Sequence, residues 1–303
     1  MPNPDPAAAV MGALVADAAA MGLHWLYDPA RIAEIVGDGS AAFIPPDPAH
    51  YENTPAYFAH GARANGQFSQ YGEVLMLAVR SIARQGAFKT ESFQQDYATH
   101  FGAGGTYQGY IDRPTRGTLE NLAAGQTNPS GVDDDQHPAI ATLPAVVAWD
   151  PGRAMLDAHM RDAISVTNVN DTATRYGLRF GHCLADVLSG QPLRAALQTA
   201  AKDMDDLTAA LETAETDPVA YGAVTERACH LPQGMPLSFH ILANTASYAE
   251  AVETNIRAGG DSCGRAIIIG ALAGAAYGAD AIPMDWTLSL QDAAEVWSAV
   301  QAL

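Results

Sequence analysis

Three short polar clusters interrupt otherwise apolar stretches of this 303-residue chain, and they hold the residues whose types could do chemistry. Residues 65–73 (NGQFSQYGE) precede an apolar run, residues 166–172 (VTNVNDT) join two such runs, and residues 259–265 (GGDSCGR) lead into residues 266–279. Each cluster falls where a helix is expected to begin. A helix start exposes unpaired backbone N–H groups and the positive end of its dipole, which suits an anion or a polar ligand. Capping is the plainer role for Ser69, Asp171 and Asp261, because Ser and Asp commonly accept those N–H groups. A carboxylate or imidazole so placed can also act as acid, base or nucleophile, and Asp261, Glu73 and His24 are the candidates. Ser69, Gln70, Tyr71, Asn168, Asp171, Cys263 and Arg265 are candidate ligand-binding groups, with Arg265 able to grip an anion through two N–H groups.

Each of these residues also has a purely structural reading. His24 and Trp25 close the first apolar run, where a satisfied core histidine is common. Cys263 is either an inert buried thiol or, with His24 in hydrogen-bond reach, a nucleophile beside its base. Glu73 suits the first turn of a helix dipole, and Arg265 could serve only to neutralise Asp261. The triplet Asp133, Asp134, Asp135, followed by His137, reads as a solvated acidic loop. Consecutive carboxylates rarely converge on one ion, and the spacing of a calcium loop is missing. Tyr107 and Tyr110 flank a Gly-rich connection and could cover a base or sugar ring.

The elements that must position these residues are helices. Residues 7–26 carry almost no polar face, which marks a helix surrounded by protein. Residues 43–55 (FIPPDPAHYENTP) are loop, because proline removes donors and restricts its predecessors. Helical spacing returns at residues 74–82, 91–101 and 115–124, the last with Thr118 as an expected cap. Further helices are expected at 139–149, 153–166, 171–189, 192–213, 218–227, 236–243 and 247–258, and the apolar run 266–279 is another. Alternation of period two is nearly absent, so the expected fold class is all-α, one domain over residues 7–303 behind a frayed leader at 1–6.

Surface scaling allows such a chain to bury about three quarters of its unfolded surface, enough for a large core. Acidic residues outnumber basic ones 34 to 16, for a formal net charge of -18. That field repels phosphate backbones and anionic lipid, so neither nucleic acid nor membrane is an expected partner. The three cysteines are widely spaced and odd in number, which fits a reducing compartment, the cytoplasm. Residues 7–27 lack any preceding Lys or Arg and carry Asp17 mid-run, unlike a signal peptide. Residues 266–279 are too short to span a bilayer.

Taken together, the motifs resemble the ADP-ribosylglycohydrolase family. Residues 12–23 (GALVADAAAMGL) are similar to its opening helix, and residues 66–74 (GQFSQYGEV) to its Gly-x-x-Thr-Asp-Asp-Thr segment. Residues 251–283 (AVETNIRAGGDSCGRAIIIGALAGAAYGADAIP) are similar to its closing signature, Gly-Gly-Asp-Thr-Asp-Thr followed by a Gly/Ala-rich helix. The resemblance implies an all-α fold, a pocket for ribose and diphosphate, and hydrolysis of a glycosidic bond assisted by two magnesium or manganese ions. The ligand positions differ here. His24 stands at the first acidic position, Ser69, Gln70, Tyr71 and Gly72 at Thr-Asp-Asp-Thr, and Ser262, Cys263 and Gly264 follow the retained Asp261.

Magnesium wants hard oxygen ligands in octahedral array, so a binuclear magnesium or manganese site is not expected. A single magnesium ion leaning on Asp261, carbonyls and waters is the residual metal expectation. The pattern is similar to the branch of the family that contains the jellyfish J-crystallins. Two functions therefore stand side by side. One is a hydrolase of a glycosidic bond in an ADP-ribose-like or nucleoside-like small molecule. The other is a non-catalytic, crystallin-like structural or ligand-binding protein on the same fold.

Overall fold

The first helix, α1 (Pro6–Ala20), starts at Asp5, whose carboxylate accepts from the Ala8 N–H at 3.0 Å, with Pro6 occupying a position that needs no N–H. Every residue from Ala8 to Ala20 is buried, Asp17 included. A computed structural model describes residues 5–150 and 154–303; within them the chain is helical, with isolated bridges in place of any extended strand. Residues 6–23 are long and apolar enough to cross a membrane by composition, yet 89% of that run is buried against the rest of the protein.

The remaining α-helices follow in order: α2 (Pro29–Val36), α3 (Gln70–Gln85), α4 (Thr90–Phe101), α5 (Arg113–Ala123), α6 (Leu143–Trp149), α7 (Leu156–Thr167) and α8 (Asp171–Leu188). Then come α9 (Leu193–Ala201), α10 (Asp205–Glu212), α11 (Pro218–Tyr221), α12 (Leu231–Ala243), α13 (Tyr248–Ala258), α14 (Ser262–Tyr277), α15 (Met284–Leu288) and α16 (Ala293–Gln301). Helices α1 and α14 form the central pair, apolar on all sides because each is surrounded by other helices. Their backbones meet through small residues: a Cβ on Gly270 would lie 2.3 Å from the Gly12 carbonyl oxygen, and one on Gly274 2.2 Å from that of Ala8. The Tyr248 hydroxyl donates to the Gly12 carbonyl at 2.7 Å and ties α13 to the same seam.

Several expected boundaries move, each for a local reason. Of the expected leader, residues 1–4 lie outside the described residues, while Asp5 and Pro6 already belong to the helix start. The first helix ends at Ala20 and passes through a 3-10 turn, Met21–Leu23, before Trp25 turns into the left-handed region at φ 61°. Asp112, not Thr118, caps α5 by accepting from Thr115 N–H at 2.9 Å; the Thr118 hydroxyl donates instead to the Val166 carbonyl at 3.2 Å. The expected helix 192–213 breaks at Lys202 to Met204, where Asp203 has φ 61°. Helix α11 stops at Tyr221, ahead of Glu226 and Arg227 at φ 55°. Helix α12 starts five residues before Pro236, which sits inside it. Arg153, where α7 was expected to begin, lies outside the described residues.

Candidate functional site

The end of the first apolar run and the start of α14 are locked together by their backbones. Trp25 N–H donates to the Gly260 carbonyl at 2.7 Å, and Gly260 N–H donates to the Leu26 carbonyl at 2.8 Å. Gly260 has φ 69°, and a Cβ there would lie 2.2 Å from the Arg227 carbonyl oxygen, so the position demands glycine. This clasp sets His24 beside Asp261, residues 237 apart in sequence: Nε2 of His24 donates to Asp261 Oδ1 at 2.8 Å. His137, at the head of a 3-10 turn, donates from Nδ1 to Asp261 Oδ2 at 2.9 Å. The Tyr71 hydroxyl reaches the same oxygen at 3.4 Å, and Asp261 also caps α14 by accepting from Gly264 N–H at 2.9 Å. Asp261 is fully buried, which alone would raise its carboxyl. Attraction and hydrogen bonds from His137 and His24 outweigh that and hold it well below the usual carboxylate range.

A second set of groups surrounds the start of α3. The Ser69 hydroxyl accepts from Tyr71 N–H at 3.1 Å and donates to Asp17, which also receives the Ser69 N–H at 2.8 Å. Burial pushes the Asp17 carboxyl up to about 7 despite those two bonds. The Gln70 amide donates to Asp112 Oδ2 and Thr115 Oγ1, both at 2.8 Å, and accepts from Asp112 N–H at 2.7 Å. Burial raises Asp112 to about 6, with bonds from Thr115 and Gln70 opposing. Between the two sets lies a recess lined by His24, His60, Ser69, Gln70, Tyr71 and Asp112. It measures about 10 Å³, room for about one water. The cleft of a few hundred Å³ expected of a small-molecule site is therefore not open in this conformation. The rings of Trp25, Tyr57 and Tyr110 cluster beside it, with centroids 5.0 to 5.7 Å apart.

Four of the expected site residues thus converge: His24, Tyr71 and Asp261 directly, and Gln70 on the recess wall. Ser69 joins them through its cap. Glu73, Arg265, Asp171 and Asn168 point elsewhere. Burial alone would raise the Glu73 carboxyl, but its pairing with His100 Nε2 at 3.1 Å and with Arg63 outweighs that and brings it below its usual value. It opens onto a separate hollow beside Arg80 and Gln291. Arg265 is fully buried and turned away from any incoming anion: Nε donates to Asn255 Oδ1 at 2.9 Å and a terminal nitrogen to the Gly259 carbonyl at 2.5 Å. Burial lowers its guanidinium to about 10. Asp171 is exposed as the first residue of α8, which Asn170 caps. Asn168 is buried and donates to the Asp134 carbonyl at 2.8 Å, away from the recess lining.

Cys263 Sγ meets the Asp17 carbonyl at 3.7 Å, and burial raises its thiol well above the usual range, so it is no ready nucleophile. The three adjacent carboxylates diverge to three partners. Asp133 takes Asn170, Asp134 takes Arg113 at 2.7 Å, and Asp135 takes His230 at 2.5 Å. Tyr107 is held down by its hydroxyl on the Tyr110 carbonyl at 2.9 Å. Four site groups were not picked out from the residue pattern: Asp17, His60, Asp112 and His137.

The magnesium pair implied by the family resemblance does not fit this donor set. Asp261 faces N–H and O–H donors on both oxygens, Gln70 is spent on Asp112, and burial keeps Tyr71 protonated. A cation leaning on Asp261 alone meets the same imidazole and phenol donors, so the residual single-magnesium expectation fits poorly too. What the arrangement offers instead is one carboxyl, Asp261, held ionised behind His24 and Tyr71, and another, Asp112, raised to about 6 in the lining of the recess.

A sequence model of the ADP-ribosylglycohydrolase family matches residues 7–303, so the chain belongs to that family. Among curated relatives, Crystallin J1A of Tripedalia cystophora is 28% identical over 297 residues, covering 92% of this chain and 89% of that protein. Crystallin J1B of the same animal is 28% identical over 303 residues, with the same coverage. A solved structure described as an ADP-ribosylglycohydrolase-related protein complex superposes with a TM-score of 0.73 at 20% identity, covering 98% of this chain and 95% of that one. The fold is that of the family.

Proposed function

We propose that this chain is a glycohydrolase-like protein that cleaves a glycosidic bond in an ADP-ribose-like or nucleoside-like small molecule without the family's two magnesium ions. The observation that carries this reading is the opposed pair of carboxyls. Environments that drive two titratable groups apart assign an acid and a base. Asp261, held ionised by His24 and His137, would stabilise positive charge developing at the anomeric carbon, and Asp112, poised near 6, would protonate the leaving group. The aromatic cluster of Trp25, Tyr57 and Tyr110 offers rings for a base or sugar to stack on. Trp25, at φ 61°, is strained, and strain of this kind gathers at functional sites.

One observation favours the second reading, a non-catalytic structural or ligand-binding protein. The recess admits about one water, and all four partners of Asp261 are already in place. Turnover of ADP-ribosyl-arginine, ADP-ribosyl-serine and purine nucleosides, with and without added magnesium or manganese, separates the two. The hydrolase reading expects magnesium-independent release, falling about 10²- to 10⁴-fold in Asp112→Asn. No turnover by the wild type on any of them, in a folded sample, overturns it and leaves the structural reading.

A further inference from the structure

His60 and Cys263 have no role in the reading above, yet they stand together in the centre. His24 spends Nε2 on Asp261, which leaves the lone pair of Nδ1 facing His60 Nε2 at 2.7 Å. His60 is 2% exposed, and its own Nδ1 is buried with no partner. Cys263 Sγ completes the group: a ring nitrogen from each histidine and this sulfur all lie within 4.8 Å of one another, and all three residues are buried. Two imidazoles and a thiol are the donors of a soft divalent cation and are poor ligands for magnesium.

We propose that His24 Nδ1, His60 Nε2 and Cys263 Sγ bind one zinc ion. Tetrahedral zinc with bonds of about 2.0 to 2.1 Å to nitrogen and 2.3 Å to sulfur sets the two nitrogens about 3.3 Å apart. The rings must therefore part by about half an ångström while the sulfur closes in. His60 lies in the irregular segment between Ala56 and Ser69, and a loop absorbs such a shift more easily than a packed helix. The outer contact is already built: a metal-bound imidazole normally gives its other N–H to a carboxylate, as His24 gives Nε2–H to Asp261. Three protein ligands leave a fourth position, and the recess lined by His24 and His60 has the size of one water, the pattern of an open rather than a closed zinc site. Binding forms the zinc–sulfur bond as the thiol proton leaves to solvent, while His60 gives up the Nε2 proton it directs at His24 and carries its proton on Nδ1 instead. One proton is released in all, so uptake tightens with rising pH. This site does not depend on any glycosidic turnover, and its test reads metal alone.

The experiment titrates chelator-stripped, reduced protein with zinc, and with cobalt as a spectroscopic probe, in excess magnesium. The expected result is one zinc per chain and, with cobalt, a thiolate charge-transfer band together with the intense visible bands of tetrahedral coordination. Cys263→Ser should abolish the charge-transfer band, whereas Cys229→Ser should leave it unchanged. Asp261→Asn, a change to a positioning residue, should weaken zinc about 10- to 100-fold without removing the band. Absence of the band in wild type, or its survival in Cys263→Ser, overturns the site. Should Cys263→Ser fail to fold by circular dichroism, His60→Gln decides: zinc affinity within threefold of wild type overturns the site, and a loss of tenfold or more supports it.

Discussion

The starts of α3 and α14 are built alike and hold their charges in opposite states. Each begins with a hydroxyl or carboxyl cap, Ser69 or Asp261, and each has a glycine three residues further on, Gly72 or Gly264. Both glycines are there for space. A Cβ on Gly72 would lie 2.3 Å from Asp17 Oδ2, and one on Gly264 2.6 Å from the His137 ring. In each case a side chain from a distant segment fills the room that a larger residue would take. What differs is the company each acid keeps. Burial pushes Asp17, which meets one serine, up to about 7, whereas Asp261, equally buried, meets two imidazoles and stays ionised. Similar helix starts thus give opposite protonation, decided by the incoming partners and not by the helix dipole, whose contribution is smaller.

The comparison can be broken most severely at α14. Gly264→Thr, which restores the family's residue type, should expel His137 and leave Asp261 short of a partner. Overpacking and a broken buried pair together should cost about 5 kcal/mol in urea unfolding. A loss below about 1 kcal/mol would show that His137 does not need the glycine.

The two acids should next reveal themselves by opposite pH slopes. Asp17 rises from the ordinary 3.8 to about 7 on folding, so the native state holds the extra proton between those values. Stability should therefore fall as pH rises from about 4 to 7, by about 4 kcal/mol at most, and level off above. Asp17→Asn, which mimics the protonated acid, should remove the part of that limb between about pH 6 and 7 and leave below it the smaller slope of Asp112, which burial raises to about 6. Asp261, depressed on folding, contributes stability that is complete above about pH 4 and is lost as pH falls below it. Denaturation curves from pH 3 to 8 on both proteins check the two signs.

Smaller effects sharpen the contrast. Ser69→Ala removes a cap and a donor to Asp17, for about 2 kcal/mol, and should move the falling limb to higher pH. Asp171→Ala, by comparison, should change thermal stability by less than about 0.5 kcal/mol, because the side chain is exposed and Asn170 does the capping.

Helical periodicity and the closing motif made the fold class legible, and Asp261 stood out because it interrupts an apolar stretch. The centre around it was harder to read, for reasons that particular residues show. Asp17 was visible only as a lone acid in an apolar run, a signal of burial that names no partner. His137 follows three acidic residues and reads with their loop, although Gly264 and Gly234 both leave space for its ring. His60 lies in irregular chain, where no periodicity points inward. Asp112 does carry a local sign, since an acid two residues before Pro114 is a helix-start pattern. Glu73 and Arg265 were misplaced because a motif position cannot say which way a side chain turns. Hydrogen bonds to Arg63 and to Asn255 decide that.

The glycine seam between α1 and α14 also bears on how the chain is made. Gly12 leaves the ribosome well ahead of its partners Gly270 and Gly274. At about 5–20 residues per second, some 260 residues take roughly 13 to 52 s to emerge. For that interval this apolar helix lacks the surface it was shaped to meet. Synthesis therefore leaves a long window in which α1 must be shielded, either by chaperones or by provisional contacts with helices made earlier.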